Sequence, residues 1–217
     1  MTKRTRLFLS GAVAALVLFL TLLLLVLCID IGAVGPQGSK IGLSGLNSAV
    51  FSALGTSSLW FSATEWVIWL AIAIAALFAA LGVYQIVKRR SLRLVDRRLF
   101  VLGGLYAAVI FCFIVFEIFP VNFRPVLTEG ELEASFPSSH VLIALPILLS
   151  AADEVNRRIR CLPLRVALVS LILLIVIMLP IGRLLSGVHW FTDIVGGALL
   201  ALALTLGYFA ALSHLDK

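Results

Sequence analysis

Apolar residues in this chain form long unbroken runs, with neither the strict alternation of a half-buried strand nor the 3.6-residue rhythm of a soluble amphipathic helix. Between consecutive charged residues the runs cover 7–29, 66–87, 99–116, 166–182 and 194–215. Their lengths, 17 to 23 residues, match the roughly 20 helical residues needed to cross about 30 Å of hydrocarbon. A sixth run, 141–152, holds only 12 residues; it reaches spanning length if its helix starts near Ser138 and ends near Asn156. The pattern predicts an all-α, polytopic bundle of six membrane helices. No internal repeat, low-complexity tract or soluble second unit interrupts it, so a single membrane domain over 1–217 is expected.

Composition strengthens this reading. The chain is 62% hydrophobic and 13% charged, with a mean hydropathy of +1.15, whereas a soluble domain is about half apolar and a quarter charged. The first run exceeds the apolar core of a signal peptide, and no small-x-small cleavage site follows it. It is expected to remain as the first span. Charge then orients the bundle. Six spans put the basic residues within 3–6, 88–98 and 157–165, together with Lys217, on one side, and only Lys40, Arg124 and Arg183 on the other. Loops rich in Lys and Arg stay cytoplasmic, so both termini are expected inside. The net charge of +6 therefore reflects membrane topology, and no nucleic-acid partner is expected. Cys28, Cys112 and Cys161 suggest neither a disulfide framework nor a cysteine-based zinc site.

Polar residues gather on the cation-poor side. The second outer loop reads EIFPVNFRPVLTEGELEASFPSSH (117–140) and the third GRLLSGVHWFTD (182–193). Ionisable groups at membrane helix ends are costly enough to raise a functional hypothesis. Four residues apart, His189 and Asp193 would share one helical face, with Ser186 a candidate N-cap. That spacing suits a carboxylate that fixes an imidazole tautomer for catalysis, or a pair that only caps the helix. Arg124 and Arg183 suit bidentate capture of phosphate or snorkelling to lipid headgroups. Pro137, Ser138 and Ser139 favour a helix start whose free N–H groups could hold phosphate oxygens beside His140; a lone histidine there could also be structural.

In order, Arg124-Pro125, Pro137-Ser138-Ser139-His140 and Arg183-x5-His189-x3-Asp193 resemble the three-part signature of the type 2 phosphatidic acid phosphatase (PAP2) superfamily, K-x6-R-P, P-S-G-H and S-R-x5-H-x3-D. The resemblance implies a six-helix membrane phosphatase with its site at one membrane face and no metal or other cofactor. By the same resemblance His189 is the nucleophile and forms a phosphohistidine, Asp193 orients it, and His140 is the general acid and base. Arg124, Arg183, Ser138 and Ser139 hold the phosphate. The implied partners are the bilayer and a membrane lipid phosphate: polyprenyl diphosphate, phosphatidylglycerophosphate, phosphatidate or phosphorylated lipid A. A bacterial plasma membrane, with the site facing the periplasm or exterior, fits that layout. The motifs leave oligomeric state open. They also leave open a lipid-linked phosphotransferase using the same histidine, or a non-catalytic phospholipid-binding or transport protein.

Three positions depart from the pattern. Gly182 replaces a serine, Ser139 a glycine, and Glu117 the lysine. Three accounts of Glu117 follow: it pairs with Arg124 or Arg183, or it marks altered substrate chemistry with Lys40 supplying the missing cation, or it marks a crippled or repurposed site. Glu129, Glu131 and Glu133 read as a solvated acidic loop or, less simply, a metal site. Phe119, Phe123, Phe136, Trp190 and Phe191 read as an interfacial aromatic belt or, less simply, a lipid entrance. Residues 43–58 suit a short amphipathic helix on the outer surface.

Overall fold

The structure is a computed structural model that describes residues 1–127 and 130–215. Glu129 of the acidic loop and Lys217 of the charge count therefore lie outside the described residues. The described residues form seven α-helices: α1 (Lys3–Cys28), α2 (Ser44–Leu54), α3 (Ser58–Arg89), α4 (Arg97–Ile118), α5 (Ser139–Arg158), α6 (Leu162–Leu185) and α7 (Phe191–Leu215). Isolated antiparallel bridges, Gly32 with Ile41 and Phe123 with Ala134, pin the two outer loops. Local chemistry sets several boundaries. The Asp96 carboxylate accepts from the Arg98 N–H at 3.0 Å at the head of α4, and a proline opens α6, where its missing N–H costs nothing.

Five helices, α1, α3, α4, α6 and α7, are long and apolar enough to cross a membrane. Helix α5 is not one of them, because it is the inner helix. It packs on α3, α4, α6 and α7 and buries Val141, Leu148 and Ala151 together with Ser150 and Glu154. A helix enclosed by other helices presents little surface to lipid, so it can carry polar residues, and this is why its apolar run is short. The outer helices show the converse: Val166, Leu174 and Ile177 of α6 are exposed, as lipid-facing residues should be.

The ends of α5 separate two polar regions. At its C-terminal end buried Glu154 meets Arg98 at 3.4 Å, Arg157 at 3.0 Å and Arg158 at 2.5 Å, while Asp153 meets Arg98 at 2.5 Å and Asp96 meets Arg157 at 3.2 Å. Helices α1 and α7 run antiparallel, with Ser213 Oγ donating to Thr5 Oγ1 at 2.9 Å. Residue 3 and residue 215 thus lie at this arginine-rich end. Ser139 and His140 are at the other end of α5, and 20 helical residues span about 30 Å. The bundle places the arginine belt and the polar loops at opposite ends.

The long loop after α4 is rooted in the core by Phe136, whose ring lies 6.0 Å from Phe19 and 6.2 Å from Phe116. Gly196 makes room for it; a Cβ there would sit 2.6 Å from the Phe136 ring.

Candidate active site

The segment between α6 and α7 folds differently from the pattern expected of it. Ser186 closes α6, its N–H donating to Gly182 O at 2.8 Å and its Oγ to Arg183 O at 2.7 Å. It is not the N-cap of the next helix. Gly187 follows at φ 72°, a left-handed conformation that ends helices and favours glycine. Helix α7 begins at Phe191, and Asp193 reaches back to accept the Trp190 N–H at 2.9 Å, one half of a capping box. His189 consequently precedes α7 instead of riding its face. Its Nδ1 still lies 3.8 Å from Asp193 Oδ2.

Two asparagines and one tryptophan sew the outer loops onto this turn. Asn122 Nδ2 donates to Asp193 Oδ1 at 3.4 Å and Asn122 Oδ1 accepts the Gly42 N–H at 3.2 Å. Asn47 accepts the Thr192 N–H at 3.1 Å and donates to Thr192 Oγ1 at 3.0 Å, which docks α2 on the start of α7. Trp190 Nε1 donates to Phe123 O at 2.8 Å. The Ser138 N–H donates to Asp193 O at 2.9 Å, and Gly197 permits this close approach, since a Cβ there would meet Ser138 O at 2.9 Å. The N-terminus of α5 is thereby fixed against the N-terminus of α7. Sequence reasoning passed over Asn47 and Asn122; their signal was an amide in an apolar neighbourhood, where burial demands partners.

These ties bring the predicted residues together. Arg183 and Asp193 are fully buried and His189 is nearly so. Arg183 Nη2 lies 3.2 Å from His189 Nε2. A guanidinium only donates, so Nε2 is the acceptor, and the proton of the neutral imidazole sits on Nδ1, toward Asp193. Burial first, and then the charges of Arg183 and Arg124 and the nearby His140, hold the His189 imidazole well below its ordinary pKa of 6.5. Neutral at physiological pH, with Nε2 basic, His189 is in the state a nucleophile needs.

His140 joins through a residue that sequence reasoning missed. Glu65 of α3 places Oε1 2.9 Å from His140 Nε2 and 2.9 Å from Arg183 Nη1. The adjacent Thr64 Oγ1 is 3.3 Å from Arg183 Nη1. A carboxylate at the head of an apolar helix was the available signal; it had served only to mark where a hydrophobic run began. Gly182 gains a meaning as well. A Cβ at this position would lie 2.8 Å from both Trp60 and Thr64, so glycine is what lets α6 approach α3 and bring Arg183 to Glu65.

The remaining predicted residues occupy distinct places. Ser138 is the buried N-cap of α5, with its Oγ unpartnered, and Ser139 is the first residue of that helix. Arg124 pairs with Glu133 at 3.1 Å, so one member of the acidic loop is an ion-pair partner and not simply solvated. Glu117 lies within electrostatic reach of Arg124, whereas the carboxylate on Arg183 is that of Glu65. Glu117 also lines a small cavity with Phe116, Ser135, Pro137 and Ser139. Lys40 is exposed in the loop between α1 and α2, with no contact to the cluster among the described residues. Of the aromatics, Phe136 and Trp190 are buried structural anchors, whereas Phe119 is exposed.

A sequence profile of the PAP2 superfamily matches residues 108–215. A search of curated proteins finds no match. Among solved structures, the chain resembles the crystal structure of a transmembrane PAP2-type phosphatidylglycerolphosphate phosphatase from Bacillus subtilis, at 18% identity and a TM-score of 0.66, covering 95% of this chain and 98% of that one.

Two outcomes follow from the geometry. Because His189 is held neutral in the fold, the unfolded chain binds more protons there below pH 6.5. This contribution to stability is complete above that pH and declines as pH falls toward the depressed folded value. Melting midpoints in mild detergent between about pH 5 and 8 should fall on the acid side for the native chain and flatten in His189→Asn. Equal acid sensitivity in both proteins would contradict the assignment. Secondly, Gly182→Ser, which restores the family residue, should cost about 1–3 kcal/mol by overpacking against Trp60, read as a lowered melting midpoint. An unchanged or raised midpoint would show that α6 and α3 have room.

Proposed function

Since the chain belongs to the PAP2 superfamily, we propose that it is an integral-membrane lipid phosphatase acting through a phosphohistidine on His189. The observation that carries this reading is the Arg183–His189 contact at 3.2 Å, which turns an unprotonated Nε2 toward a phosphate-binding guanidinium, with His140 joined to the same guanidinium through Glu65.

The reaction runs in two displacements. In the first, Nε2 of His189 attacks phosphorus, a P–N bond forms, the bond to the lipid oxygen breaks, and His140 protonates that oxygen. Arg183, Arg124 and the N–H groups that open α5 hold the phosphoryl oxygens as charge redistributes. Oxygens of the substrate take over the Arg183 donor that His189 accepts in the empty site, freeing Nε2 to react. Asp193 receives the Nδ1 proton more closely as the imidazole becomes cationic. In the second, water attacks phosphorus while His140 takes its proton, the P–N bond breaks, and inorganic phosphate leaves with His189 neutral again. Dividing one difficult step into two is what covalent catalysis contributes.

Charge narrows the substrate. Glutamate replaces one of the family's three cations at position 117, and Glu65 adds a carboxylate inside the cluster. A lipid phosphate monoester, less charged than a diphosphate, suits this balance. An open groove of about 420 Å³ is lined by Phe61, Leu127 and Val188 with Ser57 and Ser186; its Phe61 ring faces Arg183 at 5.8 Å and Val188 precedes His189 in the chain, which supports access from the lipid. With the arginine belt cytoplasmic, the site faces the outer leaflet, and a bacterial plasma membrane fits that arrangement.

Detergent-purified protein offered phosphatidate, phosphatidylglycerophosphate and polyprenyl diphosphate should release phosphate preferentially from the monoesters. His189→Ala should reduce release by about 10³ or more, and Glu117→Lys should raise the diphosphate-to-monoester ratio. Wild-type release from His189→Ala would refute the mechanism.

A further inference from the structure

We propose that Glu65 is the positioning residue of the proton-transferring imidazole, a second carboxylate–histidine pair beside His189 and Asp193. The proposal rests on the lipid-phosphatase reading for its catalytic consequence and on geometry for its structural part.

A single oxygen, Oε1, lies 2.9 Å from both His140 Nε2 and Arg183 Nη1. An ionised carboxylate only accepts hydrogen bonds, so the nitrogen facing it carries a proton. The contact is short but not yet aligned as a hydrogen bond, as catalytic contacts in empty sites often are. With Nε2–H committed to Glu65, Nδ1 of His140 is left to exchange a proton with substrate; it is buried and has no partner. The same holds for Arg183: Nη1 is occupied by Glu65 and Thr64, while Nε is buried without a partner. The Nε–Nη2 edge thus remains to grip phosphate in front of His189. One carboxylate oxygen therefore aims both groups at once.

Its charge matters as well as its position. His140 is faced by Glu65 from α3, Arg183 from α6, Arg124 from the loop before α5 and His189 from the loop before α7. Of these four only Glu65 can offset the cation that His140 must become before it protonates a leaving group. Thr64, the neighbouring position, is buried against α6, so α3 cannot withdraw Glu65 without opening the Gly182 contact.

The test compares an alkyl lipid phosphate, whose alcohol leaves poorly without an acid, with p-nitrophenyl phosphate, whose phenolate leaves without one. Glu65→Ala should lower the first-turnover rate of leaving-group release about a hundredfold on the lipid phosphate and far less on p-nitrophenyl phosphate, with Glu65→Gln intermediate, whereas the later water attack is common to both substrates. An equal loss of first-turnover release on both substrates, or no loss on either, overturns the proposal. A readout independent of turnover uses histidine-selective nitrogen-15 labelling of the chain's three histidines. Nε2 of His140 should be protonated in the native protein and in Glu65→Gln, and the tautomer should change in Glu65→Ala. A native His140 protonated only on Nδ1, or a tautomer indifferent to Glu65→Ala, also overturns it. If native protein cleaves neither substrate, the phosphatase reading fails and these spectra still decide the role of Glu65.

Discussion

A guanidinium with no exposed surface, inside a bundle made for lipid, is the constraint around which this molecule is arranged. Arg183 cannot be desolvated without partners, and the fold meets it from several directions: Glu65 and Thr64 on α3, the Nε2 of His189, and the ring of Phe61 at 5.8 Å. Each partner dictates something about the backbone. Helix α3 must touch α6 closely, which glycine at 182 permits. The chain after α6 must turn sharply at Ser186 and Gly187 so that His189 points back. Loops from three parts of the chain must then seal the pocket.

The sealing depends on Asp193 more than on apolar packing. Its carboxylate receives the Trp190 N–H and the Asn122 amide, its carbonyl receives the Ser138 N–H, and its side chain faces His189. The residue that faces His189 is thus also the knot joining α5 to α7. Helix α5 links this knot to the Glu154 cluster with its arginines at the far end. One enclosed helix therefore fixes the chemical end and the charge-bearing end relative to each other, and its core position explains how it tolerates Pro146, Ser150 and Glu154.

The lipid-facing parts of the fold were legible in the sequence because bilayer thickness imposes a length that composition reveals. Helices α1, α3, α4, α6 and α7 each contain a run that the pattern marks. Helix α5 was legible only by extension, since an enclosed helix answers to its neighbours and not to lipid. Local spacing singled out His189, Asp193, Arg183 and His140, which the fold brings together, but misjudged the turn between α6 and α7: Ser186 ends a helix where it was expected to begin one. Spacing could not find Glu65, whose partner Arg183 is 118 residues away. Nor could it name the carboxylates that meet the arginines across the fold, Glu65 at Arg183 and Glu133 at Arg124. Pairings made across helices leave no periodic trace along the chain.

The account stands on the claim that Nε2 of His189 is the atom that takes phosphorus. Rapid acid-free quenching of the protein during turnover of a radiolabelled lipid phosphate monoester, followed by peptide mapping, tests it most directly. The account predicts an acid-labile, alkali-stable label on His189 that fails to form in His189→Ala and accumulates in variants of His140, where water attack is slowed. Label on another residue, or turnover with no phosphorylated protein at any time, would contradict it.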